Sequence, residues 1–238
     1  MKLGVNIDHI ATLRNARRGK EPDVLTGMFT AIKAGCDSIV CHLRTDRRHI
    51  IDDDVFSIRK ECTVPMNLEA SLEPEIIDIA LKIVPDIITI VPEKREEVTT
   101  EGGLDIEKNM KRLLDVIPKL NDKGIKVSLF IDPDEKSIEL SKETGAYAIE
   151  IHTGAYANAG EKKQDGEFAK IKKASIYGKN IGLFIAAGHG LNYENTQKIL
   201  TIKEIEELNI GHSIISRSIF YGLETAVKDM VGIMKGNA

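Results

Sequence analysis

Short runs of β-branched and apolar residues recur along the chain at 3–7, 38–41, 65–68, 87–91, 126–131, 148–151, 182–186 and 207–210. Each has the length of a buried strand and is bounded by polar or glycine-bearing segments. Between the runs lie longer stretches whose apolar positions step by three and four. Met110, Leu113, Leu114 and Ile117 form one such series, and Ile219, Leu223, Val227, Met230 and Met234 another. That spacing gathers them on one face of a helix. Strands alternating with helices imply βαβ units and a parallel sheet. No linker, low-complexity tract or composition shift interrupts the eight units, so the pattern predicts a single α/β domain over 1–238. The predicted fold is a (β/α)8 TIM barrel with extra helical segments, not an open doubly wound sheet.

Turn chemistry agrees with the alternation. Gly35, Gly124 and Gly145 each stand between a helical stretch and a strand, where a helix-terminating glycine belongs. Asp132-Pro133-Asp134 follows a strand at a point where a helix must start. The longest connection after a strand, 92–103, carries Thr99, Thr100, Gly102 and Gly103 and is expected to act as a lid.

Composition narrows the setting. At 238 residues, with 42% hydrophobic and 29% charged positions, the chain suits one globular core. No apolar run approaches the roughly 20 residues a membrane span needs. The first residues pass straight into polar Asn6 and Asp8 without a signal-peptide core, so a cytoplasmic protein is expected. Cys36, Cys41 and Cys62 are odd in number and lack CxxC spacing, which fits reduced, packed thiols. A net charge of −4 disfavours nucleic acid as a partner, so an anionic ligand would have to be met by local positive charge.

In a barrel, catalytic groups come from strand C-termini and the loops that follow. Read in order, those ends deliver Asn6, Asp8 and His9; His42, Arg44 and His49; Glu69; Glu150 and His152; Gly188-His189-Gly190; and Asn209, Gly211 and His212. All six histidines of the chain therefore fall on one rim. One histidine ending a strand is most often structural; six on the same rim are not explained that way. Glu69 ends an apolar strand, where desolvation raises a carboxyl pKa toward the range of a general base, and Glu150 shares that logic. Alternation puts Glu150 and His152 on the same strand face. The Gly-His pairs after the last two strands suit a phosphoryl group held by backbone N–H groups and a helix N-terminus. A second anion candidate is the set Arg14, Arg17, Arg18, Arg44, Arg47 and Arg48, which would otherwise be plain solvated charge.

Competing chemistries are disfavoured. There is no HxH or HExxH motif, and Asp8 and His9, if on a strand, would point to opposite faces, so no catalytic metal is expected. No serine or cysteine sits in a GxSxG-type elbow, and Cys41 lies on the strand face opposite His42. What the residues themselves support is acid–base chemistry on a phosphorylated, carbonyl-bearing small molecule. A single-substrate sugar-phosphate isomerase or aldolase, and a non-catalytic barrel that binds phosphorylated metabolites, both stay open at this point.

The same segments carry a resemblance. The runs Gly4-Val5-Asn6-Ile7-Asp8-His9-Ile10-Ala11-Thr12-Leu13-Arg14, His42-Leu43-Arg44, Asp46-Arg47-Arg48-His49-Ile50 and Met66-Asn67-Leu68-Glu69 are followed by Val91-Pro92-Glu93-Lys94-Arg95. Val98-Thr99-Thr100-Glu101-Gly102-Gly103-Leu104, Glu150-Ile151-His152-Thr153-Gly154, Ala187-Gly188-His189-Gly190-Leu191 and Glu207-Leu208-Asn209-Ile210-Gly211-His212 complete the series. In this order, from Gly4 to about residue 231, the chain resembles the pyridoxine 5′-phosphate synthase family of vitamin B6 biosynthesis. The resemblance implies condensation of 3-amino-2-oxopropyl phosphate with 1-deoxy-D-xylulose 5-phosphate, releasing inorganic phosphate and water, with neither metal nor organic cofactor. It implies His42 and Glu69 as proton acceptors, His189 as proton donor and Glu150 as stabiliser of charged intermediates. Asn6, Arg17, Gly190, Gly211 and His212 would contact the aminoketone phosphate; Asp8, His9, Arg44, His49 and Thr99 would contact the deoxyxylulose phosphate. His152 receives no role. The resemblance further implies a homo-octamer in which Arg17 reaches a neighbouring subunit's site. Ala186 and Ser216 depart from the Asn and Gly common in the family, and the segment 157–167 matches nothing specific.

Overall fold

The computed structural model describes residues 1–93 and 102–236. Eight strands alternate with helices along the chain. The first half runs β1 (Lys2–Asn6), α1 (Asp8–Asn15), α2 (Val24–Lys33), β2 (Ser38–Leu43), α3 (Asp52–Glu61), β3 (Met66–Ala70), α4 (Pro74–Ile83), β4 (Ile87–Ile90) and α5 (Ile106–Asp122). The second runs β5 (Lys126–Ile131), α6 (Glu135–Glu143), β6 (Ala148–His152), α7 (Gly154–Asn158), α8 (Glu161–Asn180), β7 (Phe184–Gly188), α9 (Thr196–Ile199), β8 (Glu207–Ile210), α10 (His212–Tyr221) and α11 (Leu223–Met234). The strands are all parallel and pair in sequence order, with β8 returning to β1, so the barrel is closed. Closure leaves no strand edge and fixes two surfaces, one facing the helices and one facing inward.

The alternation of side chains sorts residues between those surfaces. Leu3, Val5, Ile39, Cys41, Leu43, Leu68, Ile88, Leu129, Ile149, Ile185 and Leu208 all join the apolar core beneath the helices. Their neighbours one step along the strands fill the barrel, and these are unusually polar: Asn6, Ser38, His42, Asn67, Glu69, Thr89, Ser128, Glu150, His152, Glu207 and Asn209. Barrel interiors are more often packed with branched aliphatic residues. Here several of the polar groups bond one another across strands. Ser38 Oγ donates to Glu207 Oε1 at 3.0 Å, Thr89 Oγ1 to Asn67 Oδ1 at 2.9 Å, and Asn209 Nδ2 to Glu150 Oε2 at 2.7 Å.

Local signals place most boundaries. Gly35, Gly124 and Gly145 have φ of +99°, +78° and +81° and end helices as expected. The Asp134 side chain caps α6 by accepting from Ser137 N–H. Two expectations are corrected. The series from Ile219 to Met234 is not one helix: Gly222, at φ +80°, breaks it into α10 and α11, and Ile219 stays exposed. The run 182–186 begins two residues early as a strand, because Gly182 at φ +82° still belongs to the end of α8. No helix among the described residues is long and apolar enough to cross a membrane.

Gly4 shows how tightly the interior is filled. A Cβ built there would collide with the Asn209 side-chain oxygen and lie 2.8 Å from Ser38 Oγ. Gly4→Ala is therefore expected to cost about 1–3 kcal/mol of unfolding free energy through overpacking. Urea denaturation measures it, and unchanged stability would mean that Asn209 has room to yield.

Candidate active site

The C-terminal mouth of the barrel holds three carboxyl groups in one small volume. Glu69 ends β3 and Glu150 lies in β6, both pointing inward, while Asp8 is the first residue of α1 directly after β1. Asp8 and His9 lie just past the strand, as the sequence places them, and open α1, where their side chains serve different neighbours. Asp8 Oδ1 accepts from the backbone N–H of His42 at 2.8 Å, and Oδ2 accepts from Asn6 Nδ2 at 3.0 Å. Asn6 Oδ1 in turn accepts from the Asp8 N–H at 2.9 Å, closing a small ring of bonds at the end of β1.

Burial raises the pKa of all three groups. Desolvation pushes Asp8 up to about 7, against the lowering pull of its hydrogen bonds from His42 and Asn6. Glu150 is likewise pushed up to about 7 by burial, opposed by the Asn209 amide and reinforced by Glu207. Glu69 is held well above the usual carboxylate range by burial and by the nearby Glu150 and Asp8. A carboxyl poised in this way can take a proton from carbon or nitrogen and return it near neutral pH.

The six histidines stand on the rim as three pairs. His9 and His212 meet edge to face with ring centroids 5.0 Å apart, joining the starts of α1 and α10. His42 and His49 are 5.9 Å apart. His152 and His189 are 5.0 Å apart at right angles to within 16°, with Phe130 beneath His152 at 5.1 Å. Burial lowers His42 to about 3 and His49 and His189 to about 4, and each has a second histidine or a cation nearby that adds to the effect. Shifts in this direction favour the neutral rings near pH 7. Four of the six histidines also have a buried ring nitrogen with no hydrogen-bond partner among the described residues: His9 Nδ1, His42 Nε2, His49 Nδ1 and His152 Nε2. Buried polar atoms are rarely left so, and their concentration on one rim marks a surface that reads a ligand.

His42 and Glu69 are neighbours across β2 and β3, with Nδ1 3.9 Å from Oε2. His189 follows β7 in a left-handed conformation, φ +80°, that a residue with a Cβ adopts only under constraint. Thr153, missed by sequence reasoning, supplies it: its hydroxyl bonds the carbonyls of Gly188 and His189 at 2.7 and 2.6 Å. Asp132 was also missed as a partner; its Oδ1 lies 3.1 Å from His152 Nδ1, and that bond lowers the Asp132 pKa. Asn209 was noticed but not valued, although alternation from Glu207 aims it at Glu150.

The phosphate candidates divide. Gly211 precedes α10, whose first turn has no side-chain cap, leaving backbone N–H groups for an anion. Its missing Cβ also makes room for the Asn6 side chain, so the glycine serves packing as well. Gly190, at φ +79°, packs against Ala157. Of the arginines, Arg14 forms a two-pronged pair with Asp54 at 2.7 Å, Arg47 pairs with Asp52 and Glu75, and Arg48 pairs with Asp46. These three are committed to carboxylates rather than gathered for an anion. Arg44 is buried beside Asp46 and Glu93, and Arg17 is exposed on the turn after α1, outside the buried cluster. Thr99 and most of the expected lid lie outside the described residues. Although no metal motif is legible in the sequence, Asp8, His42 and His49 bring one potential ligand atom each within 4.8 Å of one another.

The model of the pyridoxal phosphate biosynthesis protein PdxJ family matches residues 3–236. A protein of a Sulfurihydrogenibium species named pyridoxine 5′-phosphate synthase is 54% identical over 237 residues, covering 98% of both chains. One of the same name from Geobacter sulfurreducens is 52% identical over 235 residues, again covering 98% of each. Among solved structures, KGPDC from Streptococcus mutans superimposes with a TM-score of 0.66 at 13% identity over 98% of this chain and 97% of its own. Phosphoribosylanthranilate isomerase from Thermotoga maritima does so with a TM-score of 0.58 at 12% identity over 99% of each. Likeness at that level of identity speaks for the barrel alone.

The raised pKa of Glu150 has a consequence for stability. Its folded value of about 7 exceeds the ordinary 4.5, so the folded chain binds the proton more tightly and loses stability as pH rises from about 4.5 through 7. Glu150→Gln, which keeps the shape without the charge, is expected to be more stable than the parent at pH 8 by up to about 3 kcal/mol. The gain should vanish near pH 4.5. Denaturant unfolding at both values checks this, and equal stabilities at pH 8 would mean that the carboxylate is not strained by burial.

Proposed function

The chain belongs to the pyridoxal phosphate biosynthesis protein PdxJ family, the pyridoxine 5′-phosphate synthases, and we propose that its rim condenses 3-amino-2-oxopropyl phosphate with 1-deoxy-D-xylulose 5-phosphate to pyridoxine 5′-phosphate. The observation that carries the reading is the mouth itself, where raised carboxyls stand beside neutral histidines with unpartnered ring nitrogens. Imine formation, loss of phosphate and carbon–carbon ring closure each move protons at different atoms. Several acid–base groups around one cavity are what such a sequence requires.

In this assignment Glu69 and His42 take protons. The pair is 3.9 Å apart, and a neutral His42 with Nε2 unpartnered is ready as a base. Glu150, held by Asn209, balances positive charge developing on nitrogen. His189 donates. Burial and His152 lower its pKa to about 4, and the charge of a bound anionic substrate would raise it toward the range of a proton donor. Asn6, Gly190, Gly211 and His212, with the open first turn of α10, suit the aminoketone phosphate. Asp8, His9, Arg44 and His49, which adjoin that set through the Asn6–Asp8 bond and the His9–His212 contact, suit the ketose phosphate.

The outer surface supports assembly. Leu13 of α1 and Ile219, Phe220 and Tyr221 of α10 are exposed, and large apolar side chains grouped on adjoining helices favour a partner. A homo-oligomer, octameric as the family resemblance implies, would cover them and bring Arg17, beside that face, toward a neighbour's site. Phe220→Glu is expected to shift the sedimentation coefficient toward that of smaller species; an unchanged assembly would remove this face from the interface.

Incubation of the protein with both phosphates in metal-free reducing buffer is expected to yield pyridoxine 5′-phosphate and inorganic phosphate. Turnover of the ketose phosphate without the amine would overturn the reading in favour of an isomerase or aldolase. Glu69→Gln and His42→Ala are expected to lower kcat by about 10²–10⁴-fold, the range of general acid–base contributions, with KM changed far less.

A further inference from the structure

The cluster of Asp8, His42 and His49 has the donor set of a transition-metal site. One ligand atom from each lies within 4.8 Å of the other two. His42 is only 6% exposed, and its Nε2 and His49 Nδ1 are buried without partners. Each Asp8 oxygen accepts one hydrogen bond, from the His42 N–H and from Asn6 Nδ2, which leaves lone pairs for a cation. Two imidazoles and one carboxylate are the three-ligand pattern of sites that keep a position for an exogenous ligand.

The geometry decides what must move. Tetrahedral ligands at bond lengths of about 2.0–2.1 Å stand about 3.3 Å apart, so the cluster would contract by roughly an ångström or more. Asp8 and His42 are tied to each other by the backbone bond. His49 lies on the loop between β2 and α3 and is only half-buried, so it is the member able to swing in. Arg44, near all three members, and Arg48, near both histidines, oppose a cation; Asp46 favours one.

We propose that Asp8, His42 and His49 bind a divalent ion of the zinc, cobalt or nickel class, and that this ion shuts the ketose-phosphate half of the rim. Imidazole nitrogen selects these ions over magnesium, which demands a shell of oxygens. The exclusion of the ketose phosphate rests on the assignment of this arc given above; the binding of the ion does not.

Cobalt(II) added to chelator-stripped protein is expected to bind at one equivalent with visible d–d absorption, and magnesium to leave the protein unchanged. His49→Ala should weaken cobalt binding by about tenfold or more, while His212→Ala retains it. Thermal melts of both variants establish that each is folded. Absence of an equivalent of cobalt, or binding unchanged in folded His49→Ala, overturns the site. Zinc(II) is expected to inhibit turnover, relieved by chelator and by excess ketose phosphate; inhibition indifferent to that substrate overturns the exclusion. A chain that binds cobalt through these residues but makes no pyridoxine 5′-phosphate keeps the metal site and loses the synthase reading.

Discussion

Desolvation of three carboxyl groups inside one closed barrel is the constraint on which the mouth depends. A parallel barrel offers an interior with no strand edges and no bulk water, and most such interiors are filled with aliphatic side chains. This one is filled with amides, hydroxyls and acids that bond one another across strands, such as Ser38 with Glu207 and Asn209 with Glu150. The cost of burying an ionised acid is what lifts Asp8, Glu69 and Glu150 toward neutrality. The same dryness strips charge from the histidines. One cause therefore sets both halves of an acid–base site: carboxyls whose proton affinity is raised and imidazoles whose proton affinity is lowered.

The apolar scaffold around that interior carries the stabilising burden. Inward and outward positions alternate along every strand, so each polar residue in the mouth is flanked by a residue locked into the helical layer. His42 lies between Cys41 and Leu43, and Glu150 between Ile149 and Ile151, all four fully buried in the outer core. Rigidity of this kind holds reacting groups where they are needed without asking their own polar contacts to do so.

Much of this was legible in the chain. Strands at Lys126–Ile131 and Glu207–Ile210 fall where the apolar runs place them, because short β-branched runs closed by turn residues leave little choice. Glu150 and His152 share the inner face as alternation requires. What failed did so for physical reasons. That Asp8 opens a helix is not legible, because nothing local marks a helix that starts without a side-chain cap. Its proximity to His42 and His49 joins the start of α1 to the end of β2 and the loop after it, far apart in sequence and beyond any motif. Arg14 and Arg47 looked like an anion site because their partners, Asp54 and Glu75, come from other elements. Thr153 looked like an ordinary residue after a strand, since the carbonyls that its hydroxyl bonds belong to the next one.

Gly4 has a consequence beyond packing. The space above it is taken by Asn209, and Asn209 is what holds Glu150. Positions 4, 209 and 150, on three different strands, are thus mechanically one unit. Evolutionary drift at any of them is conditional on the other two: a larger residue at 4 demands a smaller one at 209, and that change releases the acid at 150. Substitutions among descendants of this chain should therefore appear there together or not at all.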